Sequence, residues 1–261
     1  MQIALITGAS SGMGEAFAHQ LDQDTDLDEL WLIARSTNEL QRVATTLNHR
    51  CKIVSLDLSL RGSITTLEKL LATAKPTIKY TINNAGFGLN GDFVELDRLK
   101  QMEMVDLNCR GLVGVSTVCL PYMERGSIII HTSSIAGFGP LGSFALYGAS
   151  KAFATSFSVA LASELKERGI TVTTLAPGSV ATAFQSKSRA GSTRKKKFFA
   201  HRADPKDVVT LALKDARKGK TFSIYGISSK GIAFIAPLLP QYLSARLAYT
   251  VIYPKPKVTE D

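Results

Sequence analysis

Short apolar runs alternate with longer stretches of helical periodicity along most of the chain. The first run, Ile3 to Ile6, has no polar interruption, which is typical of a strand buried on both faces of a parallel sheet. The runs predict strands at about 2–7, 29–34, 52–56, 79–83, 127–132, 171–176 and 221–225. The stretches between them predict helices at about 13–21, 37–48, 60–74, 97–122, 143–168 and 205–218.

The alternation of strands and crossover helices predicts the fold class. It indicates an α/β protein with one doubly wound domain, in which helices cover both faces of a mostly parallel seven-stranded sheet. In such a sheet, ligands bind beyond the carboxyl ends of the strands. Five residues lie at or just past predicted strand ends and are expected near a ligand: Thr7, Ala34, Asp57, Asn84 and Ser134.

A glycine-rich turn follows the first predicted strand. Residues 7–14 read Thr-Gly-Ala-Ser-Ser-Gly-Met-Gly, and a helical pattern begins directly afterwards. Glycines allow backbone N–H groups to approach a diphosphate, and the helix N-terminus adds partial positive charge. The turn therefore predicts a site for the diphosphate of a dinucleotide. Its residues are Gly8, Ser10, Ser11, Gly12, Met13 and Gly14.

Tyr147 and Lys151 are candidates for proton chemistry. Residues four apart on a helix are neighbours, so the Lys151 ammonium is expected to face the Tyr147 phenol. A nearby cation is expected to lower the phenol pKa from its ordinary value of about 10, which would make Tyr147 a general acid or base near neutral pH. An isolated pair of this kind is more often a half-buried tyrosine beside a solvated lysine, so the interpretation depends on the other motifs.

Those other motifs follow in order along the chain: Asp57-Leu58, Asn83-Asn84-Ala85-Gly86, Asn108, Ser133-Ser134, and Pro177-Gly178 with Val180 and Thr182. Together with the glycine-rich turn and the Tyr147–Lys151 pair, they make the chain resemble the short-chain dehydrogenase/reductase family. The resemblance extends from Met1 to about Tyr225 and is strongest to its bacterial NADP-dependent oxidoreductases. It implies a Rossmann domain that binds NAD(P) and catalyses hydride transfer.

The resemblance also implies a role for each motif. The catalytic residues would be Asn108, Ser134, Tyr147 and Lys151, with Ser134 preferred to Ser133 because the family's serine lies thirteen residues before its tyrosine. Tyr147 would transfer the proton and Ser134 would bind the substrate oxygen, while Lys151 would hold the nicotinamide ribose and Asn108 a water. Besides the glycine-rich turn, Tyr147 and Lys151, the implied cofactor residues are Asp57, Leu58, Asn84, Ala85, Gly86, Pro177, Gly178, Val180 and Thr182.

The end of the second strand indicates which dinucleotide is preferred. An acidic residue about 20 positions after the glycine turn would bind the ribose 2′-hydroxyl of NAD, whereas an arginine accommodates the 2′-phosphate of NADP. Here Ala34 occupies that position, and Arg35 and Ser36 follow it. The sequence thus predicts NADP(H) as cofactor, with NAD(H) as the less favoured alternative.

Composition and charge exclude some other classes. The chain has 261 residues and a net charge of +9, but no nucleic-acid recognition motif, so nucleic acid is not expected as a partner. Three scattered cysteines, Cys51, Cys109 and Cys119, fit neither a disulfide framework nor a thiolate metal site, and no metal is predicted. The sequence enters the first strand directly after Met1, without a leader pattern, so we expect a reducing, cytoplasmic setting.

Residues 1–230 are predicted to form the catalytic domain, with a substrate loop at about 181–204 that carries Phe184, Phe198 and Phe199 and a basic cluster. Phe138, Phe144 and Leu146 add to an apolar pocket wall.

Residues 231–261 are predicted to form an apolar extension that is not a separate domain. It is too short and too interrupted by proline to span a membrane. Packing on its own domain or on a sister subunit is favoured over peripheral membrane contact.

The predicted function is that of an enzyme: an NADP-dependent dehydrogenase/reductase that interconverts an apolar ketone or aldehyde with its alcohol, as a homodimer or homotetramer. A reductase of carrier- or coenzyme-bound 3-oxoacyl chains is the alternative within enzymes. An NADP-binding regulator without turnover is the non-enzymatic alternative, against which the complete set of Asn108, Ser134, Tyr147 and Lys151 argues.

Overall fold

The computed structural model describes residues 1–182 and 202–252, with side chains to residue 250. Within this part of the chain, seven strands form one parallel sheet. They are β1 (Gln2–Thr7), β2 (Glu29–Ala34), β3 (Arg50–Ser55), β4 (Thr77–Asn83), β5 (Ile128–Thr132), β6 (Thr171–Leu175) and β7 (Phe222–Ser223). Their order is β3-β2-β1-β4-β5-β6-β7, so the direction of winding reverses between β1 and β4. That reversal opens a crevice at the carboxyl ends of the two strands.

Helices cover both faces of the sheet. They are α1 (Gly12–Leu21), α2 (Thr37–Ala44), α3 (Arg61–Ala74), α4 (Arg98–Val105), α5 (Leu112–Cys119), α6 (Ala145–Glu164), α7 (Pro205–Arg217), α8 (Ile227–Ile235) and α9 (Gln241–Leu247). Two π-helical segments, Asp106–Gly111 and Ala248–Ile252, follow α4 and α9. Single 3₁₀ turns lie at Phe93–Glu95, Leu120–Tyr122, Ile135–Gly137 and Ala236–Leu238.

The core consists of two apolar layers that are separated by the sheet. Alternate residues of β1 point to opposite faces: Ala4 and Ile6 join one layer, and Ile3 and Leu5 join the other. Because both layers are buried, β1 carries apolar residues at consecutive positions, as its sequence predicts. The predicted fold class, a doubly wound parallel sheet with helices on both faces, is confirmed.

Three predicted elements differ in extent. The helix predicted at 97–122 is interrupted by the Asp106–Gly111 π-turn. The helix predicted to reach 48 ends at Ala44, because the Asp22 carboxylate accepts the backbone N–H groups of Asn48 and His49. The last strand is only Phe222–Ser223, where a longer one was expected. None of these differences changes the order of the sheet.

Candidate active site

The glycine-rich turn lies where β1 ends in the crevice, and its glycines are required by close packing. A Cβ atom on Gly14 would lie 2.0 Å from the Gly8 carbonyl oxygen. Gly8 and Gly12 also adopt positive φ angles of 67° and 61°, which favour glycine. Ser11 occupies the N-cap position of α1, and Met13 packs against the core. The turn therefore brings backbone close to the start of α1, as a diphosphate site requires.

The Asn84–Gly86 segment is fixed against this turn. The Thr7 hydroxyl accepts the backbone N–H groups of Asn84 and Ala85, both at 3.0 Å. The Asn84 amide donates to the Thr7 carbonyl oxygen at 3.3 Å. A Cβ on Gly86 would lie 2.9 Å from Asn108 Oδ1. The segment thus links the predicted diphosphate turn to the predicted catalytic residues.

The end of β2 carries the residues that were predicted to select the cofactor. Arg35 is exposed, and its guanidinium forms an ion pair with Glu103 at 3.2 Å. Ser36 caps α2 by accepting the Glu39 N–H at 3.4 Å. Ala34, half-buried, ends the strand where an NAD-binding carboxylate would stand. Arg35 and Ser36 therefore lie together at the N-terminus of α2, where an anion is favoured.

Asp57 and Leu58 follow β3. The Asp57 carboxylate accepts the Ser59 hydroxyl at 2.6 Å and the Ser59 N–H at 2.9 Å. The backbone oxygen of Asp57 accepts the Ser63 hydroxyl at 2.6 Å. Leu58 is buried. The Leu56 N–H donates to the Ala34 carbonyl oxygen at 3.0 Å, so this loop begins next to the end of β2.

Tyr147 and Ser134 meet at the carboxyl end of β5. Both side chains are buried, and the Tyr147 hydroxyl hydrogen-bonds with Ser134. Ser134 also accepts the Ala136 N–H at 3.2 Å and donates to the Pro177 carbonyl oxygen at 3.4 Å. These contacts fix the position of the Ser134 side chain beside the phenol. Two hydroxyl groups this close together can both hydrogen-bond to a single substrate oxygen.

Lys151 lies one helical turn after Tyr147 and is also buried. Its ammonium nitrogen donates to the Thr132 carbonyl oxygen at 2.8 Å and lies 5.9 Å from the centre of the Tyr147 ring. A Cβ on Gly86 would lie 3.4 Å from this nitrogen. Lys151 therefore stands between the phenol and the Asn84–Gly86 segment.

Asn108 occupies the π-turn between α4 and α5. Its amide accepts the Phe87 N–H at 3.1 Å, and donates to the Phe87 oxygen at 2.9 Å and to Ser150 Oγ at 3.0 Å. Both ends of the amide are thus bonded to protein groups. The side chain ties the loop after β4 to α6, which is a positioning role. Ser150 is a site residue that the sequence reasoning missed.

Burial controls the pKa values of the two titratable groups. Burial raises the pKa of Tyr147 to about 12, while the hydrogen bond with Ser134 opposes this rise. The prediction that Tyr147 has a lowered pKa is therefore wrong in this structure. Burial also lowers the pKa of Lys151 to about 8. The reason is that removing both groups from water disfavours the charged form of each.

The neighbouring polar residues of β5 have structural partners. Ser133 donates to the Lys151 carbonyl oxygen at 2.8 Å and lies 2.7 Å from the Thr155 hydroxyl. The imidazole of His131 lies between the hydroxyls of Ser116 and Ser158, at 3.0 and 2.8 Å. Burial lowers the pKa of His131 to about 3, so that the ring is neutral at physiological pH. These residues hold β5 between α5 and α6.

Pro177, Gly178, Val180 and Thr182 follow β6 and close the other side of the crevice. The Pro177 oxygen accepts the Ile135 N–H at 3.0 Å. A Cβ on Gly12 would lie 3.0 Å from Thr182 Cγ2, so Thr182 contacts the glycine-rich turn. A Cβ on Gly178 would lie 2.6 Å from Ser229 Oγ, which places α8 against this segment. Nothing in the sequence pattern had indicated Ser229.

Apolar side chains surround the open side of Tyr147. Phe144 meets the phenol edge to face, with ring centres 5.3 Å apart, and Leu141 and Leu146 pack in the same cluster. Phe138 packs against Phe222. The predicted loop residues Phe184, Phe198 and Phe199, with the basic cluster between them, lie outside the described residues.

In the described ranges, no group of three or more His, Cys, Asp or Glu side chains is placed to hold a metal ion. Among the same residues, none of the helices is long and apolar enough to cross a membrane.

A family model described as "short chain dehydrogenase" matches residues 2–193. The chain belongs to the short-chain dehydrogenase family. It is 32% identical over 196 residues to an uncharacterized oxidoreductase of Staphylococcus epidermidis, a match that covers 74% of this chain and 84% of that relative. Membership makes the chain an enzyme, an oxidoreductase that uses a nicotinamide cofactor.

Solved structures of the family share this fold. A short-chain dehydrogenase from Sphingobium yanoikuyae, in complex with NADPH, is 24% identical with a TM-score of 0.77, and the match covers 90% of this chain and 92% of that one. A short-chain dehydrogenase/reductase from Burkholderia phymatum, in complex with NAD, is 22% identical with a TM-score of 0.78, covering 89% and 92%. The two structures hold different dinucleotides.

Proposed function

We propose that this oxidoreductase interconverts an apolar ketone or aldehyde with the corresponding alcohol, with NADP(H) as cofactor and Tyr147 as the general acid and base. The observation that carries the proposal is the buried hydrogen bond between Tyr147 and Ser134, with Lys151 beside them. Buried hydroxyl groups next to an ammonium are suited to transfer a proton to an oxygen that develops negative charge.

The residues at the nucleotide side of the crevice fit a dinucleotide. Side chains at Gly8, Gly12 and Gly14 would collide with neighbouring protein groups, so the turn stays close to its neighbours, and its backbone leads into the N-terminus of α1. Arg35 and Ser36 would hold a 2′-phosphate at the N-terminus of α2, where Ala34 brings no negative charge. One Arg35 nitrogen is already bonded to Glu103, so a phosphate would compete with that carboxylate for the guanidinium.

Asp57, Leu58 and the Asn84–Gly86 segment would line the adenosine portion. Pro177, Gly178, Val180 and Thr182 would line the nicotinamide portion, because they close the crevice next to Ser134. When bound, NADPH supplies the hydride, which forms the new C–H bond at the carbonyl carbon.

The protein supplies the proton. Tyr147 retains its proton at neutral pH because its pKa is about 12, and it donates this proton to the carbonyl oxygen as the C–H bond forms. Ser134 donates a hydrogen bond to the same oxygen while negative charge develops there. The Lys151 ammonium stabilises the phenolate that this transfer leaves behind, through its positive charge. In alcohol oxidation each transfer runs in reverse.

The substrate portion of the crevice favours apolar molecules. Phe144, Leu141 and Leu146 place apolar surface beside the phenol. A hydrophobic wall of this kind binds carbon chains or rings and excludes water from the developing alkoxide.

We also propose that the enzyme forms a homodimer or homotetramer in the cytoplasm. A depression of about 460 Å³ between α3, α5 and α6 supports self-association, since it is lined by Ile64, Val113 and the exposed ring of Phe153. The mass in solution of the wild type and of Phe153→Arg tests this point, and a monomeric wild type contradicts it.

The Tyr147→Phe substitution tests the central proposal, because it removes the transferable proton and retains the ring. We expect turnover to fall by about 10²–10⁴-fold, with NADPH affinity nearly unchanged. Tyr122→Phe, in the turn after α5, is the matched control and should retain full activity. Activity is followed as NADPH oxidation over aliphatic, aromatic, steroid and 3-oxoacyl substrates. Near-normal turnover in Tyr147→Phe would refute the assigned role.

A further inference from the structure

The segment from α8 to the end of the described chain has two different faces. Its inner face packs on the loop that leads into the Tyr147 helix. A Cβ on Gly142 would lie 2.5 Å from Tyr249 Cβ, and one on Gly139 would lie 3.1 Å from Ser244 Oγ. Ala248 is buried, and the Tyr249 hydroxyl bonds with Asp92 at 3.3 Å. This segment is therefore anchored as a wall beside the active site.

The outer face of the same segment is apolar and exposed. We use the name C-terminal apolar surface for its large side chains, which are Phe234, Ile235, Leu238, Tyr242, Leu243 and Leu247. Phe234 is 75% exposed, Leu238 71% and Tyr242 78%. The described part of the chain thus leaves aromatic and aliphatic groups of adjacent turns together in water, an arrangement that marks an interaction surface.

The charged side chains within the described part of this segment have one sign. From Gly226 to Thr250 the sequence contains no Asp or Glu, while it contains Lys230 and Arg246. Lys230 lies in α8 and Arg246 in α9, and both are exposed. A partner that covers the surface must therefore accept apolar groups and neutralise cations.

A second copy of the chain matches this requirement poorly. A symmetric contact would bring Lys230 and Arg246 of both copies together, and the segment offers no carboxylate to pair with them. Burying like charges without partners is costly. An anionic lipid bilayer meets both requirements. Its headgroups neutralise the cations, and its acyl chains accept the aromatic and aliphatic side chains.

We infer that the C-terminal apolar surface docks on an anionic lipid bilayer, with Phe234, Leu238 and Tyr242 at the boundary between headgroups and acyl chains. The enzyme lies on the membrane through short helices and does not cross it. Because the inner face of the same segment forms a wall beside Tyr147, the active site opens close to the lipid. The inference does not depend on the choice of ketone or cofactor.

Vesicle sedimentation of the full chain tests the inference. The vesicles are phosphatidylcholine alone, or phosphatidylcholine with an equal amount of phosphatidylglycerol. We expect the wild type to bind the anionic vesicles, and raised salt or neutral lipid to lower the affinity by about tenfold. The variant Phe234→Ser/Leu238→Ser/Tyr242→Ser should lose about tenfold or more in affinity. The variant Lys230→Glu/Arg246→Glu should lose binding to the anionic vesicles only.

Two controls match these variants elsewhere on the surface. Leu60→Ser/Leu99→Ser/Met102→Ser removes three exposed apolar groups of similar size, and Lys69→Glu/Lys214→Glu reverses two exposed cations. Both should bind vesicles as the wild type does. NADPH affinity, measured on every variant, verifies folding.

Three outcomes would overturn the inference. A wild type that stays in the supernatant with anionic vesicles excludes membrane docking. Equal binding by the apolar triple variant and its control shows that the charge alone is responsible, without this surface. If the wild type binds no vesicles and the apolar triple variant has a lower mass in solution than the wild type, the surface is a subunit contact.

Discussion

The nucleotide half of the crevice and the C-terminal segment are packed in opposite ways. At Gly14 a single added carbon would lie 2.0 Å from a carbonyl oxygen, whereas at Gly231 in α8 it would meet nothing within 4 Å. The first region is the proposed diphosphate site, and its backbone is fixed by close contacts. The second is anchored on one face only. The comparison teaches that the proposed cofactor turn leaves no room for an added side chain, whereas α8 leaves room for one at Gly231.

Among the substitutions that test this comparison, Gly14→Ala is expected to have the largest effect. The added methyl group collides with the Gly8 carbonyl, which is backbone and cannot move aside, so the turn must distort at a cost of about 3 kcal/mol. We expect NADPH affinity to fall by about 100-fold. Titration of cofactor fluorescence, with the melting temperature beside it, measures both consequences. Normal affinity would show that the turn is not the diphosphate site.

Arg35→Ala is expected to have the next largest effect. Losing a charged contact to the 2′-phosphate should cost about 1.5–3 kcal/mol of NADPH binding and leave NADH binding unchanged. Arg246→Ala in α9 is the control on the opposite side of the comparison and should alter neither affinity. Equal affinities of the wild type for the two cofactors would contradict the proposed preference.

Glu103→Gln refines the same test. The carboxylate holds the Arg35 guanidinium at 3.2 Å, so removing its charge should free Arg35 and raise NADPH affinity by a few-fold, about 0.5–1 kcal/mol. Isothermal titration of both dinucleotides measures the change. A gain for NADH as large as that for NADPH would mean that Glu103 acts on a part of the site that the two cofactors share.

The pH dependence of NADPH capture tests the Lys151 ammonium. Its pKa is lowered to about 8, so the cation is present below pH 8 and is lost as the pH rises above that value. At saturating ketone, kcat/KM for NADPH should be level at neutral pH and fall up to about tenfold per pH unit above about 8. Tyr147, with a pKa of about 12, keeps its proton over the same range. The profile of Lys214→Ala should match the wild type, and a level profile to pH 10 would contradict the role of Lys151.

The smallest expected effect is that of Gly231→Ala, which should stabilise the protein, whereas Gly14→Ala should impair it. Glycine in a helix interior is unfavourable relative to alanine, and the position is open, so the substitution should stabilise the protein by about 0.5–1 kcal/mol. Chemical denaturation measures the free energy of unfolding. A loss of stability would mean that α8 is covered, and the contrast with Gly14 would fail.

Much of the fold could be predicted from the sequence because its strands are buried on both faces. The continuous apolar run of β1 serves two core layers, which leaves the pattern little ambiguity. The glycine turn was also predictable, because its glycines are spaced where other protein groups approach the backbone too closely for a side chain. The confirmed predictions are the fold class, the family and the enzymatic nature; the roles of individual site residues, Ser134 and Tyr147 among them, stay predictions.

The features that could not be predicted from the sequence depend on contacts between distant segments. The direction of the Tyr147 pKa shift follows from burial, which is a property of the whole cluster, whereas the spacing to Lys151 suggested the opposite. The π-turn at Asn108 accompanies bonds to Phe87 and Ser150, residues that helical periodicity does not connect. Likewise, the Arg35–Glu103 pair joins positions 68 apart in the chain.

The position of β1 in the sheet has a consequence for how the molecule is made. During synthesis β1 is made well before β4, yet β4 is one of its two neighbours in the sheet, and Ile3 pairs with Ile78. The amino-terminal strand therefore has one edge unpaired until β4 has been synthesised. Because closing such a distant contact costs chain entropy before it is repaid, we expect the joining of β1 to β4 to limit the rate of folding, and nascent chains that end before Asn83 to need protection from aggregation.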